Sequence, residues 1–231
     1  MNIAIIVAAG SGSRMNNINT PKQFIPVCDV PLFLYSINAF ENNKQIDAII
    51  VVVNKNQIEI AEYLSADYKL TKLVKGFVPG GDTRQQSVLE GLKVAKDIAN
   101  DDSVVLIHDA ARPLISDKII NENILAVREF NAAVTVIPAT DTLLQSNDGE
   151  NISSSLKRNE IYQAQTPQSF RFKDIFEAHE QARQEGLAFT DDASLYNHYK
   201  QKPLHMVLGD KRNLKVTTEE DLLILKNYLN K

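Results

Sequence analysis

Residues 2–15 of the chain read NIAIIVAAGSGSRM, an aliphatic run that passes directly into a glycine-rich loop. The run at 3–8 has the length and the unbroken apolar character of a strand buried on both faces of a sheet. Three further runs of this kind, each bounded by turn or polar residues, occur at 48–53, 104–107 and 132–137. Segments with helix-like apolar spacing lie between them, at 31–41, 56–64, 82–98 and 117–130.

This alternation of strands and helices decides the fold class. It predicts an α/β fold with a Rossmann-like, mostly parallel sheet that is flanked by helices and joined by right-handed crossovers. A mixed α+β domain is the alternative. We expect a single domain over residues 1–231, because this length suits one large domain and no repeat or low-complexity segment divides it.

The regular order is interrupted at 139–165, which is polar, rich in Ser and Asn, and without helical spacing. Asn147-Asp148-Gly149 within it predicts a hairpin, since Asp-Gly favours a two-residue turn. We interpret the segment as an arm that leaves the main sheet. Beyond it, we expect helices at 173–184 and from Asp191, a strand at 205–208, and a final helix with a capping box of Thr217 and Glu220.

Composition limits the classes of function. Hydrophobic residues make up 44% and charged residues 23% of the chain, as in ordinary globular proteins. Lys and Arg number 25 against 29 Asp and Glu, so there is no overall positive field of the kind that holds nucleic acids. No run reaches the roughly eighteen apolar residues of a membrane span. The single cysteine, Cys28, excludes a disulfide framework and suits a reducing compartment, so we expect a cytoplasmic protein.

The loop after the first strand carries Gly10 and Gly12, with Arg14 and Lys22 close behind. Glycines at the carboxyl end of a strand let backbone N–H groups approach a phosphate, and ligands of open α/β sheets bind at that edge. The loop lacks the third glycine of a dinucleotide fingerprint, where Met15 stands, and it lacks the Gly-Lys-Ser/Thr of a P-loop. Two cations beside it favour a triphosphate; the alternative is a tight turn with solvated cations.

A second loop, at 79–87 (PGGDTRQQS), opens a helix at the same edge of the predicted sheet. Its glycines, hydroxyls and helix N-terminus can contact a base or a ribose. Alternatively, it is an ordinary loop in which Asp82 is the helix N-cap.

A third loop, HDAARP at 108–113, follows the strand at 104–107. An acid there that faces a polyphosphate indicates Mg²⁺, which takes one or two carboxylates together with phosphate oxygens. Alternatively, Asp109 pairs with Arg112 or caps the next turn. We interpret His108 as a packed or hydrogen-bonded residue. Lys215, which lies between two apolar residues before the last helix, is predicted to point inward.

The motifs occur in order along nearly the whole chain: AAGxGxRM at 8–15, PKQ at 21–23, GGD at 80–82, HDAARP at 108–113, RN at 158–159, TPQ at 166–168, TDDAS at 190–194 and NLKVT at 213–217. Together they resemble the 2-C-methyl-D-erythritol 4-phosphate cytidylyltransferase family of the nonmevalonate isoprenoid pathway. The resemblance implies a fold of the nucleotide-diphospho-sugar transferase type. It also implies transfer of CMP from CTP to a polyol phosphate, with Mg²⁺ as cofactor and no nucleophile from the protein.

The resemblance further implies a homodimer in which the arm at 139–165 reaches the site of the other subunit. By position, it assigns catalysis to Arg14, Lys22 and Lys215. It assigns cytosine and ribose contacts to Ala8, Ala9, Gly10, Gly12, Gly81, Asp82 and Ser87. It assigns the metal to Asp109, and the sugar-phosphate side to Asp109, Arg112, Thr142, Arg158, Thr166 and Thr190.

Two features bear on the assignment within this group of enzymes. Arg212 stands where some family members have a second acidic metal ligand, and the nearest acid is Asp210. Ribitol-5-phosphate cytidylyltransferases of teichoic acid synthesis share most motifs but tend to show Ala-Gly-Gly and HDAVRP, whereas this chain has Ala8-Ala9-Gly10 and Ala110-Ala111. We therefore favour methylerythritol phosphate over ribitol phosphate as the acceptor, and both enzymes over a noncatalytic nucleotide-binding protein.

Overall fold

A computed structural model describes residues 1–10 and 21–230, so Gly12 and Arg14 lie outside the described part. The strands are β1 (Asn2–Ala8), β2 (Pro26–Val27), β3 (Val30–Pro31), β4 (Ala48–Val53), β5 (Leu73–Pro79), β6 (Val104–Asp109), β7 (Ala132–Pro138), β8 (Leu144–Gln145), β9 (Ser154–Ser155), β10 (Tyr162–Arg171) and β11 (His205–Leu208). The α-helices are α1 (Leu32–Asn42), α2 (Ile58–Ser65), α3 (Arg84–Ala95), α4 (Asp117–Phe130), α5 (Phe172–Glu185), α6 (Asp192–Lys200) and α7 (Glu219–Leu229). Among these helices, none is long and apolar enough to cross a membrane.

Within the described residues, seven strands form one sheet in the order β11-β7-β10-β6-β1-β4-β5. β1 is parallel to β4 and to β6, β4 to β5, and β7 to β11. The predicted α/β fold with a mostly parallel sheet is therefore confirmed. The chain runs outward from β1 to β4 and β5, and then places β6 on the other side of β1. Ligands of such sheets bind where the winding changes direction, which here is at the carboxyl ends of β1 and β6.

Helices cover both faces of the sheet, which explains the unbroken apolar runs in the central strands. On one face, Phe33 of α1 joins the same buried cluster as Ile6 of β1. On the other face, Val88 of α3 joins the cluster of Ile5. Gly91 lets α3 approach the sheet closely, because a Cβ there would lie 2.7 Å from Cγ2 of Ile5.

Two strands of the main sheet, β5 and β10, are not predicted by the apolar pattern of the sequence. β10 is antiparallel to both of its neighbours, β6 and β7, and takes up the last four residues of the segment 139–165. Most of its buried side chains are polar but paired: Nε2 of Gln168 donates to Asp191 at 2.8 Å, and Oγ of Ser169 donates to Asn123 at 3.0 Å. Because hydrogen bonds allow polar groups to be buried, this central strand has no continuous apolar run, although Phe170 is in the core.

The predicted hairpin of the arm is confirmed, since β8 and β9 pair antiparallel. Its connection at 146–153 is longer than the expected two residues. The carboxylate of Asp148 accepts N–H bonds from Glu150 and Asn151, and Gly149 has a φ of +79°. Asp148 and Gly149 are thus part of a longer loop, and the aspartate side chain stabilises that loop through its hydrogen bonds.

The cap of α7 differs from the prediction by one residue. Thr218 and Asp221 form the capping box, instead of Thr217 and Glu220. Asp221 also accepts hydrogen bonds from the backbone and the hydroxyl of Thr217, so both threonines are held by the same carboxylate.

Candidate active site

A cleft of about 350 Å³ opens at the carboxyl edge of the sheet, beside the ends of β1, β4 and β5. Five of the residues predicted to bind nucleotide line it, namely Ala9, Gly10, Gly81, Asp82 and Ser87. The other lining residues, which are not individually assigned from the sequence, are Asn54, Lys55, Gly80, Thr83 and Arg84. Ala8, which is also predicted to bind nucleotide, is the buried last residue of β1. Residues from separate loops thus surround one cleft.

Glycine is required at position 80 because two loops meet there. A Cβ on Gly80 would lie 2.7 Å from Cβ of Ala9 and 2.8 Å from Oγ of Ser87. The N–H of Gly80 donates to the carbonyl of Val53 at 2.7 Å, which fixes the loop against the end of β4. A side chain at this position would push the walls of the cleft apart.

Helix α3 begins at the cleft, with Thr83 as its N-cap. Thr83 and Gln86 form a capping box, in which each side chain accepts a hydrogen bond from the backbone of the other. Oε1 of Gln86 also accepts from the N–H of Asp82 at 2.8 Å, so Asp82 precedes the cap and its alternative role as N-cap is wrong. The positive end of the α3 dipole favours an anionic ligand in the cleft.

Asp109, the last residue of β6, is the centre of a charged cluster. Nε of Arg84 lies 3.1 Å from its Oδ1, while Nζ of Lys215 and Nε of Arg112 lie 2.8 Å and 4.0 Å from its Oδ2. Burial by itself would raise the pKa of Asp109, but Arg84, Lys215 and Arg112 together hold that pKa well below its usual value. The carboxylate is therefore ionised and surrounded by cations, and the predicted pairing with Arg112 is part of that arrangement.

Arg84 links Asp109 to a second buried acid, Asp192. Nη1 of Arg84 lies 2.8 Å from Oδ2 of Asp192, and Nε2 of His179 lies 3.2 Å from Oδ1. Both Asp192 and His179 are almost completely buried. Arg84 and Asp192 lie inside two of the predicted motifs, but neither has a predicted role, because the spacing of residues within one motif carries no information about a partner in another.

His108 and Thr166 hold the backbone of Asp109. The Asp109 N–H donates to Oγ1 of Thr166 at 3.1 Å, the Thr166 hydroxyl donates to Nδ1 of His108 at 3.0 Å, and Nε2 of His108 donates to the carbonyl of Arg112 at 3.1 Å. This pattern requires a neutral imidazole, in agreement with burial, which lowers the pKa of His108 to about 4. His108 is a packed, hydrogen-bonded residue, as predicted. The hydroxyl of Thr166, predicted on the sugar-phosphate side, is engaged inside the protein.

The segment before α7 is fastened to the loop after β6. Nη1 of Arg112 donates to the carbonyl of Asn213 at 2.8 Å, and the N–H of Val216 donates to the carbonyl of Ala111 at 2.8 Å. Lys215 lies between these two attachments and points to Asp109, as its position in the sequence predicts. Its side chain is 40% exposed, so the ammonium group can also contact a ligand.

Lys22 begins a short 3₁₀ helix, Lys22–Phe24, and is half-buried. The next residue, Gln23, donates from Nε2 to Oε1 of Gln57 at 2.7 Å. Gln57 belongs to the segment after β4, whose residues Asn54 and Lys55 line the cleft. The predicted catalytic lysine is therefore on a segment that is tied to one wall of the cleft.

Three predicted acceptor-side residues lie on exposed segments. Thr142 and Arg158 are on the arm, and Nη1 of Arg158 donates to the carbonyl of Thr140 at 3.4 Å. The hydroxyl of Thr190 lies 3.4 Å from that of Ser194. The contacts found for these side chains in the described part of the chain are with nearby segments and not with the Asp109 cluster.

A metal site made by the protein alone is absent from the described residues, where no three His, Cys, Asp or Glu side chains lie together. Asp210 is paired with Arg212 at 2.8 Å. Asp109 therefore remains as the predicted metal ligand. A carboxylate has about four lone-pair sites, and in Asp109 two of them are occupied by Arg84 and Lys215. The residues therefore fit Mg²⁺ as a single protein ligand, with phosphates and water completing the shell.

A family model described as IspD, 2-C-methyl-D-erythritol 4-phosphate cytidylyltransferase, matches residues 2–231. The chain belongs to this family. It is therefore a cytidylyltransferase, an enzyme of the nucleotidyltransferase class.

Individual relatives agree with the family and differ in the acceptor they are named for. The chain is 39% identical over 226 residues to ribitol-5-phosphate cytidylyltransferase of Streptococcus agalactiae serotype III, covering 98% of this chain and 94% of that protein. It is 38% identical over 233 residues to 2-C-methyl-D-erythritol 4-phosphate cytidylyltransferase of Clostridium acetobutylicum, covering 100% and 98%. The crystal structure of 4-diphosphocytidyl-2C-methyl-D-erythritol synthase from Anaerococcus prevotii matches with a TM-score of 0.85 and 29% identity, covering 100% and 96%.

Acidification is expected to weaken the folded protein through His108. Its pKa in the folded state, about 4, lies below its ordinary value of 6.5. The unfolded chain therefore binds more protons between these values, and stability that is present above pH 6.5 is lost as the pH falls to about 4. We expect the advantage of wild type over His108→Gln in free energy of unfolding, measured with urea in EDTA, to shrink by about 2 kcal/mol from pH 7 to pH 5. A pH-independent difference would contradict the neutral, buried imidazole.

Proposed function

We propose that the enzyme transfers CMP from CTP to the phosphate of 2-C-methyl-D-erythritol 4-phosphate, giving 4-diphosphocytidyl-2-C-methyl-D-erythritol and pyrophosphate. The observation that carries the proposal is the position of the Asp109 cluster. It holds fixed cations at the carboxyl end of β6, beside a cleft formed by the loops after β1, β4 and β5. A reaction between two polyanions requires such preorganised positive charge.

The transfer requires no nucleophile from the protein. An oxygen of the acceptor phosphate attacks the α-phosphorus of CTP in line and forms a new P–O bond. The bond from the α-phosphorus to the oxygen that bridges to the β-phosphate breaks, and pyrophosphate leaves with the electron pair. Negative charge grows on the nonbridging and leaving oxygens, where Arg14, Lys22 and Lys215 are proposed to stabilise it.

The cytosine and ribose are proposed to occupy the cleft. Backbone groups at Ala9, Gly10 and Gly81 can approach a base or a ribose closely, because at most a methyl group stands in the way. Ser87 is held by its hydrogen bond to the carbonyl of Thr83 at 2.8 Å. A wall of backbone groups and one fixed hydroxyl can recognise a base edge with little loss of side-chain entropy.

Mg²⁺ is proposed to accompany CTP, with Asp109 as its protein ligand. When bound, the ion would neutralise part of the phosphate charge and hold the triphosphate in one geometry. Arg84 and Lys215 keep the Asp109 carboxylate ionised and oriented before the nucleotide arrives. Arg112 is proposed to bind the acceptor phosphate beside it.

The choice of acceptor rests on two short motifs, because overall identity does not separate the candidates. Relatives named for ribitol 5-phosphate and for methylerythritol phosphate are 39% and 38% identical to the chain. Ala8-Ala9-Gly10 and Ala110-Ala111 favour methylerythritol phosphate. Ribitol 5-phosphate is the second candidate, supported by the similarity to the streptococcal enzyme.

A second subunit is proposed to complete the acceptor site. Leu144 and Ile152 on the arm are 53% and 67% exposed, and exposed apolar side chains on one short hairpin favour a protein contact. In a twofold dimer with exchanged arms, Thr142 and Arg158 would enter the partner's site. Thr190 is proposed to contact the same acceptor from its own chain.

The acceptor assignment is tested by measuring pyrophosphate release from CTP with each polyol phosphate in parallel. We expect a higher kcat/KM with methylerythritol phosphate than with ribitol 5-phosphate, loss of turnover in EDTA, and recovery with Mg²⁺. A higher kcat/KM with ribitol 5-phosphate would transfer the enzyme to the second candidate function. Turnover that persists in EDTA would remove the metal from the proposal.

The shared site is tested by mixing two inactive variants, Lys22→Ala and Arg158→Ala, after unfolding them together. If arms are exchanged, about half of the refolded dimers are mixed, and each mixed dimer has one intact site and one doubly altered site. We expect recovered activity of about a quarter of wild type per site. If Arg158 serves its own chain, every site keeps one lesion, so mixing would restore nothing even when tagged pull-down shows mixed dimers.

A further inference from the structure

Arg84 is held by two carboxylates at once. Its Nε is 3.1 Å from Oδ1 of Asp109, and its Nη1 is 2.8 Å from Oδ2 of Asp192. Asp109 ends β6, whereas Asp192 is the first residue of α6. One guanidinium therefore connects the end of a central strand to the helical layer behind it.

Asp192 is itself anchored on both sides. His179 of α5 lies 3.2 Å from its Oδ1 and is almost completely buried. Burial by itself would raise the pKa of Asp192, but Arg84 and His179 hold that pKa below its usual value. The acid is 1% exposed, so it lies behind Arg84 and does not face the cleft. The influence of Asp192 on the Asp109 carboxylate therefore acts through Arg84.

The shape of arginine suits this link and that of lysine does not. A guanidinium is a rigid planar fork whose separate N–H groups can meet two acids in fixed directions. A lysine ammonium carries the same charge as a single point at the end of a flexible chain. It can keep the charge balance of the cluster, but it cannot hold Asp109 and Asp192 in one defined geometry.

We propose that Arg84 is a positioning residue for cytidylyl transfer: anchored by Asp192 and His179, it fixes the Asp109 carboxylate so that this carboxylate and the cations around it face the nucleotide phosphates in one geometry. The inference rests on the cytidylyltransferase activity and holds for either acceptor. Small displacements of a positioned group reduce turnover by about 10²-fold. The effect is expected in kcat, because the nucleoside contacts in the cleft remain.

The test compares wild type with Arg84→Lys, Asp192→Asn and the double variant, using whichever acceptor supports turnover. Arg183→Lys is the matched control, because Arg183 also pairs with a carboxylate, Glu180 at 2.9 Å, but is 53% exposed on the outside of α5. For each protein, kcat, the KM for CTP, the free energy of unfolding and the Kd for CTP in EDTA are measured. The last two quantities do not depend on turnover.

We expect each single variant to lower kcat by about 10- to 100-fold, with the KM and the EDTA Kd for CTP within about threefold of wild type. The kcat of the double variant should be little lower than that of the less active single variant, because both changes break one link. Arg183→Lys should match wild type.

A folded Asp192→Asn enzyme whose kcat stays within about twofold of wild type would overturn the inference. So would multiplicative losses in the double variant, since they would show that the two residues act independently. If Asp192→Asn does not fold, Arg84→Lys, which keeps the charge, replaces it: a kcat within about twofold of wild type in that variant would overturn the inference. A wild-type preference for ribitol 5-phosphate would change the acceptor assignment alone.

Discussion

An ionised carboxylate buried at the end of a central strand needs partners, and Asp109 obtains them from three other segments of the chain. Arg84 comes from the start of α3, Arg112 from the loop after β6, and Lys215 from the segment before α7. Each contact fixes the segment that supplies it. The arrangement of the loops around the cleft therefore depends on one negative charge.

This arrangement explains how an acidic protein can hold a polyanion. The formal net charge is −4, yet the cluster brings three cations to Asp109 and shares one of them with Asp192. The excess positive charge is local and partly buried, where interactions with phosphates are screened less by water. In the proposed mechanism, catalysis consists mainly of placing two anions against charge that is already in position.

The sequence predicts β4, α4 and β11 at their observed bounds, because apolar runs and helical spacing reflect burial directly. It does not predict β10, whose buried Gln168 and Ser169 are stabilised by hydrogen bonds with distant side chains. The cap of α7 is ambiguous in the sequence, since TTEED offers two overlapping Thr-x-x-acid registers.

In the candidate site, too, some residues can be predicted from local sequence patterns and others become visible only in the folded structure. Glycine loops and the acid that ends a strand are local patterns, so five of the ten residues that line the cleft, and Asp109, can be predicted. The link from Arg84 to Asp192 joins residues more than a hundred positions apart and becomes visible when the sheet brings α3 and α6 together. Thr166 lies in the TPQ motif at 166–168, but only the hydrogen bonds to His108 and Asp109 show that its hydroxyl acts inside the protein.

The central claim is that Asp109 holds the site together as a shared counter-ion, and the free energy of unfolding of Asp109→Asn in EDTA tests it most directly. Asparagine keeps the shape and removes the charge, so Arg84, Arg112 and Lys215 lose their common partner. We predict a loss of about 3–5 kcal/mol relative to wild type, against less than about 1 kcal/mol for Asp210→Asn, which breaks an exposed pair with Arg212. An Asp109→Asn protein as stable as wild type, or more stable, would contradict the account.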